Sequence, residues 1–426
     1  MERSNVDLRD GQGWRRMRRV VQLIRVVVQS IRHDGMRVFL GKALRKMGAI
    51  VAGEDKVWLI SRDDAAVVDW TEPPANHSTP VVVKSGPIEI AWISSPPGRE
   101  SGGHQNLFRF IKFAEQAGHR STIYIYDQFS HSLRHTRSMV DMSNAYPDLA
   151  AHIVDYDAAV GVAPTTQAIF ASGWETAYPA YRDASSARRF YFVQDFEPGF
   201  YPIGSEYVLA ENTYRFGFHG ITAGGWLARK LHDDYGMRTD HFDFSIDPSL
   251  YNLTNRTPRN EVFFYARPVT PRRAFELGML ALKDFHELMP EVTINLAGGN
   301  LAHWNVPFPH NDLAALDVSK LNELYNRCAA GLVLSLTNMS LLPLELMASG
   351  AVPVVNDGPN NREVSDHPYI EWAAMSPPAI ARKLVEVMQR PDAVDRSITM
   401  AESLVGQNWE TSGKQFLAAL EKGMRG

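Results

Sequence analysis

Only one cysteine, Cys328, occurs in 426 residues. A lone thiol excludes an internal disulfide and any cysteine-rich zinc site, and it fits a reducing compartment. No run of eighteen apolar residues and no secretory h-region is present, so nothing in the sequence is expected to span a bilayer. The G-x-G-x-x-G dinucleotide fingerprint is absent as well. Acids are nearly missing from one stretch: between Gly11 and Lys46 ten basic residues stand against a single Asp34. That arm carries +9, which leaves −13 on the remainder of a chain whose formal net charge is −4.

What is present describes a large α/β protein. At 45% hydrophobic and 22% charged residues, 426 residues can hold two cores of ordinary size. Residues 1–50 read as a basic amphipathic helical extension: Val20, Ile24, Val27 and Ile31 follow helical spacing, and Arg18, Arg25 and Arg32 recur on another face. Such a face suits an anionic membrane surface, with residues 14–47 as the contact, or else the body or a sister subunit. Nucleic acid is not expected, because the arm lacks a recognisable motif and the body is acidic. Residues 51–85 form a linker region ending in TEPPANHSTP.

The first domain, 86–245, opens with a strand, Ile88 to Ile93. The loop SSPPGRESGGHQNLFRF leads through Gly102 and Gly103 into a helix ending at Gly118, and Ser121 to Tyr126 makes the next strand. Asp155-Tyr156-Asp157 has the D-x-D form of a metal site, but it is expected to precede a strand, Ala158 to Val162, where it would not project into a site; the chemistry is therefore expected to need no metal. In ARRFYFVQDFEPGFYPIGSEYVLA, Phe190 to Val193 make a strand, so Gln194, Asp195 and Glu197 fall on the loop at its end. Aromatics beside carboxylates suit the apolar faces and hydroxyl rims of sugars. His219 to Ala223 and Gly225 to Tyr235 supply a further strand and helix.

The second domain, 246–400, begins with the strand Glu261 to Tyr265, followed by Arg267 and by Arg272-Arg273 at the expected start of a helix. Three arginines around one strand-to-helix loop fit a diphosphate. Val292 to Ala297 is a strand, followed by Leu313 to Leu316 and a helix from Ser319 to Ala329. The stretch from Gly331 to Asn361 reads as a strand through Leu332–Leu336, a loop, a short helix capped by Ser340, and the strand Val352 to Val355. A helix there aims unpaired N–H groups at the ligand crevice, and Glu345, among Leu344, Leu346 and Met347, either accepts from ribose hydroxyls or points to solvent on a half-exposed helix. Asp357 to Arg362 is expected as a loop, and Pro378 to Gln389, Ser397 to Leu404 and Trp409 to Met424 as helices.

PLELMASGAVPVV resembles the nucleotide-binding signature of the retaining glycosyltransferases of family 4. The aromatic passage with ENTYRFG (Glu211 to Gly217) resembles, within it, the WsaF-type rhamnosyltransferases, a likeness running from about Ile88 to Asn408. The resemblance implies the GT-B architecture, two Rossmann-like domains facing across a cleft, here with the basic helical extension. Phe242 to Leu250, with Asp247 and Pro248, would be the crossing between domains, and 401–426 a last helix crossing back with Trp409 as anchor. Of the family's two glutamates eight residues apart, Glu345 matches the ribose-holding one, while Thr337 stands where the other belongs. Arg267 and Arg273, less directly Arg272, match the grip on the pyrophosphate, with Asn338, Ser340 and Leu341 in the same donor loop. Gly102, Gly103 and Gln194 would line the acceptor side, with His104, Asp195 and Glu197 as candidate catalytic groups. The implied reaction moves L-rhamnose from dTDP-rhamnose to a sugar of a lipid-linked or cell-surface glycan, with retention, no cofactor beyond the donor, and a cytoplasmic site at the inner face of the membrane. Thymine as the base rests on resemblance alone. A GT-B nucleotide-sugar epimerase or a non-catalytic glycan- or membrane-binding scaffold are the alternatives.

Overall fold

The computed structural model describes residues 60, 62–72, 86–98, 101–127, 146–314 and 316–425. The basic arm 1–50 lies outside them, as does most of the expected linker at 51–85. The described part of that linker does not link. It forms helix α1 (Arg62–Val67), and buried Asp64 accepts from the Tyr126 hydroxyl at 2.7 Å and pairs with Arg182, which ties it to the first domain.

The elements that follow are β1 (Glu89–Ser94), α2 (Gly102–Gln116), β2 (Arg120–Ile125), β3 (His152–Asp155), β4 (Ala168–Ala171), α3 (Trp174–Arg182), β5 (Arg188–Val193), α4 (Ser205–Asn212), β6 (His219–Ala223), α5 (Gly225–Tyr235) and β7 (Arg238–Phe242). They build a seven-stranded sheet of order β3-β2-β1-β4-β5-β6-β7, parallel at every pairing. A parallel sheet covered on both faces needs strands apolar throughout, and every residue of β4 and β6 is buried. Trp92, Phe170 and Phe190 stack across β1, β4 and β5, with ring centroids 4.3 and 4.8 Å apart.

The second half contains β8 (Glu261–Tyr265), α6 (Phe275–Leu288), β9 (Thr293–Ala297), β10 (Asn311–Asp312), α7 (Val318–Arg327), β11 (Cys328–Val333), α8 (Leu342–Ala348), β12 (Val352–Asn356), α9 (Pro359–Arg362), β13 (Glu371–Ala373), α10 (Pro377–Met388), α11 (Ala393–Glu402) and α12 (Trp409–Arg425). Its sheet, of order β10-β9-β8-β11-β12-β13, is parallel as well and has its own core. The last helix, α12, returns to the first sheet, where Trp409, Phe416, Leu420 and Met424 join the cluster of Trp92, Phe170 and Phe190. Gly413 allows the approach: a β-carbon there would lie 2.7 Å from the Phe113 ring.

Four expectations need correction. Residues 158–162 are a turn, not a strand, and Asp155 is instead the last residue of edge strand β3. The helix expected to reach Ala329 stops at Arg327, and the strand after it runs Cys328–Val333, so Leu334 to Leu341 are loop. Residues 359–362 are a short helix. Arg272 and Arg273 sit on a separate 3-10 turn, Pro271–Arg273, divided from α6 by Ala274 at φ 47°.

Candidate functional site

Both sheets have a place where neighbouring strands lead off in opposite directions. In the second it lies between β8 and β11, the position where open α/β sheets leave a crevice at their carboxyl ends. The loop after β8 carries Arg267, Arg272 and Arg273; the loop after β11 carries Ser335, Thr337, Asn338, Ser340 and Leu341. The two loops are joined, since Leu336 N–H donates to the Arg272 carbonyl at 2.9 Å, and the Arg273 guanidinium donates to Ser335 Oγ at 2.7 Å and the Asn338 carbonyl at 3.5 Å. Asparagine amides from Asn356, Asn360 and Asn361 all donate to the Ser335 carbonyl, which makes the β11 loop a rigid shelf. Burial lowers the Arg273 guanidinium from its ordinary value, opposed by Asp195 and reinforced by Arg272 and Arg267 nearby. An arginine nevertheless stays charged. Arg267 is exposed and donates to the Tyr265 hydroxyl at 2.9 Å.

The loop after β5 faces this crevice from the first lobe. Asp195 spans the two: one carboxylate oxygen accepts from Arg272 Nε at 2.9 Å, the other from the Asn338 N–H and the Phe196 N–H, both at 2.8 Å. Asn338 Nδ2 donates back to the Gln194 and Ala223 carbonyls at 3.1 and 2.8 Å. Phe200 lies 4.0 Å beneath the Arg272 guanidinium, and a β-carbon on Gly199 would come 2.6 Å from the Thr337 methyl. Among the described residues Arg272 has Asp195 as its ion-pair partner, whereas Arg267 and Arg273 have no carboxylate within 4 Å. Fixed, surplus positive charge at a crevice suits an anion with two phosphates.

Glu345 lies in the first turn of α8, half-buried. Burial pushes its carboxyl up to about 7, with Arg109 of the first lobe and the Tyr251 hydroxyl pulling the other way. Ser340 does not cap this helix: the N-cap position is Leu341, whose side chain packs on the first lobe's cluster.

Models of the N-terminal and C-terminal domains of WsaF match residues 135–223 and 260–385. The chain belongs to the WsaF family. O-antigen biosynthesis protein RfbC of Myxococcus xanthus is 33% identical over 294 residues, which is 66% of this chain. The WsaF-family chain spans only 23% of that relative's length. Anabaena Alr3699/HepE, solved with UDP and glucose, superposes with a TM-score of 0.60 at 12% identity over 79% of this chain and 100% of that one. A point mutant of S. aureus TarM, solved with Fondaparinux, alpha-GlcNAc-glycerol and UDP, gives 0.62 at 7% identity over 78% and 99%. The fold is that of the GT-B glycosyltransferases, with two parallel sheets as two Rossmann-like domains.

Within this WsaF-family fold some expected catalytic groups are placed otherwise than their sequence positions imply. Glu197 is not on the crevice wall: it is buried in the first lobe, its Oε2 accepting from the Trp174 N–H at 2.5 Å and the Tyr191 hydroxyl at 2.8 Å. Burial, with Glu175 adding like charge, raises its carboxyl well above the ordinary range. His104 is held at both ring nitrogens, by Ser101 Oγ at 2.9 Å and the Ser95 carbonyl at 3.1 Å, and burial lowers its basicity. A carbonyl accepts only, so Nε2 carries the proton and Nδ1 accepts from Ser101. Gly102 and Gly103 open α2 at the exposed edge, and Gln194 Nε2 donates to the Gly103 carbonyl at 3.0 Å. Asp155 and Asp157 are exposed, Asp157 capping its own turn at the Ala159 N–H. No group of three or more His, Cys, Asp or Glu fit to hold a metal occurs among the described residues.

Sequence reasoning missed Arg109, Tyr251 and the asparagine shelf. The shelf had a signal in NDGPNN, read as a plain loop; Arg109, set between Phe108 and Phe110, interrupts an apolar helix with a charge.

Proposed function

We propose that the protein is a glycosyltransferase of polysaccharide biosynthesis that moves L-rhamnose from dTDP-rhamnose to a sugar of a lipid-linked or cell-surface glycan, with retention and without a metal. One observation carries the transfer reading: Arg267 and Arg273, cations without a carboxylate partner among the described residues, meet in the β8–β11 crevice beside Glu345's helix. They would hold the departing diphosphate, since preorganised charge is commonly the largest catalytic contribution. The similarity to HepE, solved with UDP and glucose, and to RfbC, an O-antigen biosynthesis protein, supports a nucleotide-sugar donor and a glycan product. Rhamnose and thymine rest on resemblance.

Thr337 offers no carboxylate nucleophile at the anomeric centre. The acceptor oxygen would bond to that carbon on the face the phosphate leaves, its proton passing to a phosphate oxygen as the C–O bond breaks. Asp195, whose oxygens are both engaged across the lobes, would orient the acceptor only on releasing Arg272. The protein would work on the cytoplasmic side, with residues 14–47 against anionic lipid; deletion of residues 1–50 should release it from membranes, and unchanged sedimentation would refute that.

A panel of nucleotide sugars read by thermal shift tests the reading. A donor at a hundredfold excess over Kd should stabilise by about 2.7 kcal/mol. We expect dTDP-rhamnose to give the largest rise, transfer that persists in EDTA, and no epimer in donor-only incubations. Epimer formation without acceptor, or no stabilisation by any donor, would contradict it.

A further inference from the structure

Resting on the reading of the β8–β11 crevice as the diphosphate site, we propose that Asp195 and Phe200 of the first lobe are positioning residues that aim the Arg272 guanidinium of the second lobe at the donor's phosphates. Asp195 takes one edge of that guanidinium: it accepts from Nε, at 2.9 Å, and not from the fork of Nη1 and Nη2. Phe200 covers one face, with the guanidinium carbon 4.0 Å from the ring centroid. The backbone behind is fixed as well, since the Arg272 carbonyl accepts from Leu336 N–H at 2.9 Å. What is left over is the Nη edge. Among the described residues neither Nη has a hydrogen-bond partner, and neither is closed off from solvent. The same loop carries Arg267 and Arg273, which have no carboxylate partner among the described residues. A fork of N–H donors on one guanidinium edge fits a phosphate.

The aiming groups are held by their own lobe. Phe200 ends a 3-10 turn, Glu197–Phe200, whose first residue is anchored in the core: Glu197 N–H donates to the Tyr214 hydroxyl at 3.0 Å, and its Oε2 accepts from the Trp174 N–H and the Tyr191 hydroxyl. Asp195 is buried, and its second oxygen is filled by the Asn338 and Phe196 N–H groups. A carboxylate with three donors on two oxygens gains little by leaving them for an acceptor hydroxyl, so Asp195 acts through Arg272. Asparagine cannot stand in. With one acceptor oxygen, its amide nitrogen would face either Arg272 Nε or the two backbone N–H groups, donor against donor. Because carboxylate and ring belong to one lobe and the guanidinium to the other, the aim exists only while the lobes meet, and donor binding and lobe contact favour one another.

The test is a double-mutant cycle on full-length protein: wild type, Asp195→Asn, Arg272→Gln and the double variant, titrated by calorimetry with dTDP and UDP, with melting temperatures measured alongside. Arg272→Gln should bind about 10- to 100-fold more weakly, the loss of a charge-assisted hydrogen bond. Asp195→Asn should bind at least about threefold more weakly, although it removes a negative charge from beside the phosphates, and should cost nothing further in the Arg272→Gln background. A merely structural joint would make Asp195→Asn cost the same in both backgrounds, and that result overturns the proposal. Tighter binding in Asp195→Asn overturns it too, because the carboxylate would then be competing with the phosphates for Arg272. If Asp195→Asn fails to fold, Phe200→Leu takes its place in the cycle, with a loss of about two- to fivefold expected when Arg272 is present and none in the Arg272→Gln background. An equal effect of Phe200→Leu in both backgrounds would again overturn the proposal. Wild type binding neither nucleotide would instead defeat the reading of the crevice as a diphosphate site, and the proposal with it.

Discussion

Glu197 and Glu345 are both carboxyls raised by burial, and they call for different experiments. Glu197 is a hydrogen-bonded member of the first lobe's core whose carboxyl burial pushes well up, and Glu197→Gln is nearly isosteric with it. We expect Glu197→Gln to melt within about 1 kcal/mol of wild type, and Glu197→Ala to lose about 1–3 kcal/mol by leaving the Trp174 N–H and Tyr191 hydroxyl unsatisfied. Loss of transfer in a folded Glu197→Gln would give this acid a chemical part after all. Glu345, with a folded value of about 7 against 4.5, gives a contribution present below the unfolded value and lost as pH rises through 7. Glu345→Gln should therefore match wild type near pH 4.5 and be more stable at pH 8, by no more than about 3 kcal/mol, in denaturant melts. Residue types alone pointed to Glu345, Arg267 and Arg273. They could not tell Glu197 from Asp195, two positions apart on one loop, because burial of the first is decided by Trp174 and Tyr191 from other elements.

At the scale of elements, legibility followed hydrophobic pattern wherever the pattern and the backbone agreed. EVFFY and HGITA, bounded by polar or glycine-containing turns, correspond to β8 and β6 at both ends. The strand before the donor loop was misplaced because apolar sequence reports burial, not pairing: Leu334 is 3% exposed yet lies beyond β11, in the loop, while Cys328 and Ala330 are paired. The 3-10 turn bearing Arg272 and Arg273 had no signal, since its boundary is Ala274 in a left-handed conformation that alanine rarely adopts. The loop elements make a further prediction. Gly199→Ala would drive a methyl into Thr337 across the lobes, so transfer should fall at least tenfold and melting should show an overpacking cost of about 1–3 kcal/mol. Unchanged turnover in Gly199→Ala would mean that the β5 and β11 loops need not meet during the reaction.

For the whole molecule, two α/β domains follow from alternating strand and helix signals, while their facing across a cleft was implied by the family resemblance and not by any pattern in the residues. The joint was not legible. It consists of Asp195 to Arg272, Asp195 to Asn338 and Asn338 to Gln194 and Ala223, pairings more than seventy residues apart that no local pattern encodes. The central claim is that this joint frames a crevice where arginines of the second lobe neutralise a nucleotide diphosphate. Its most direct measurement is calorimetric titration of wild type and Arg267→Ala with dTDP and UDP, each checked for an unchanged melting temperature. Arg267 is exposed, and losing a charge-assisted hydrogen bond costs about 1.5–3 kcal/mol, so the account predicts affinity lower by about 10- to 100-fold in a fully folded variant. Equal affinity in the two proteins would contradict it.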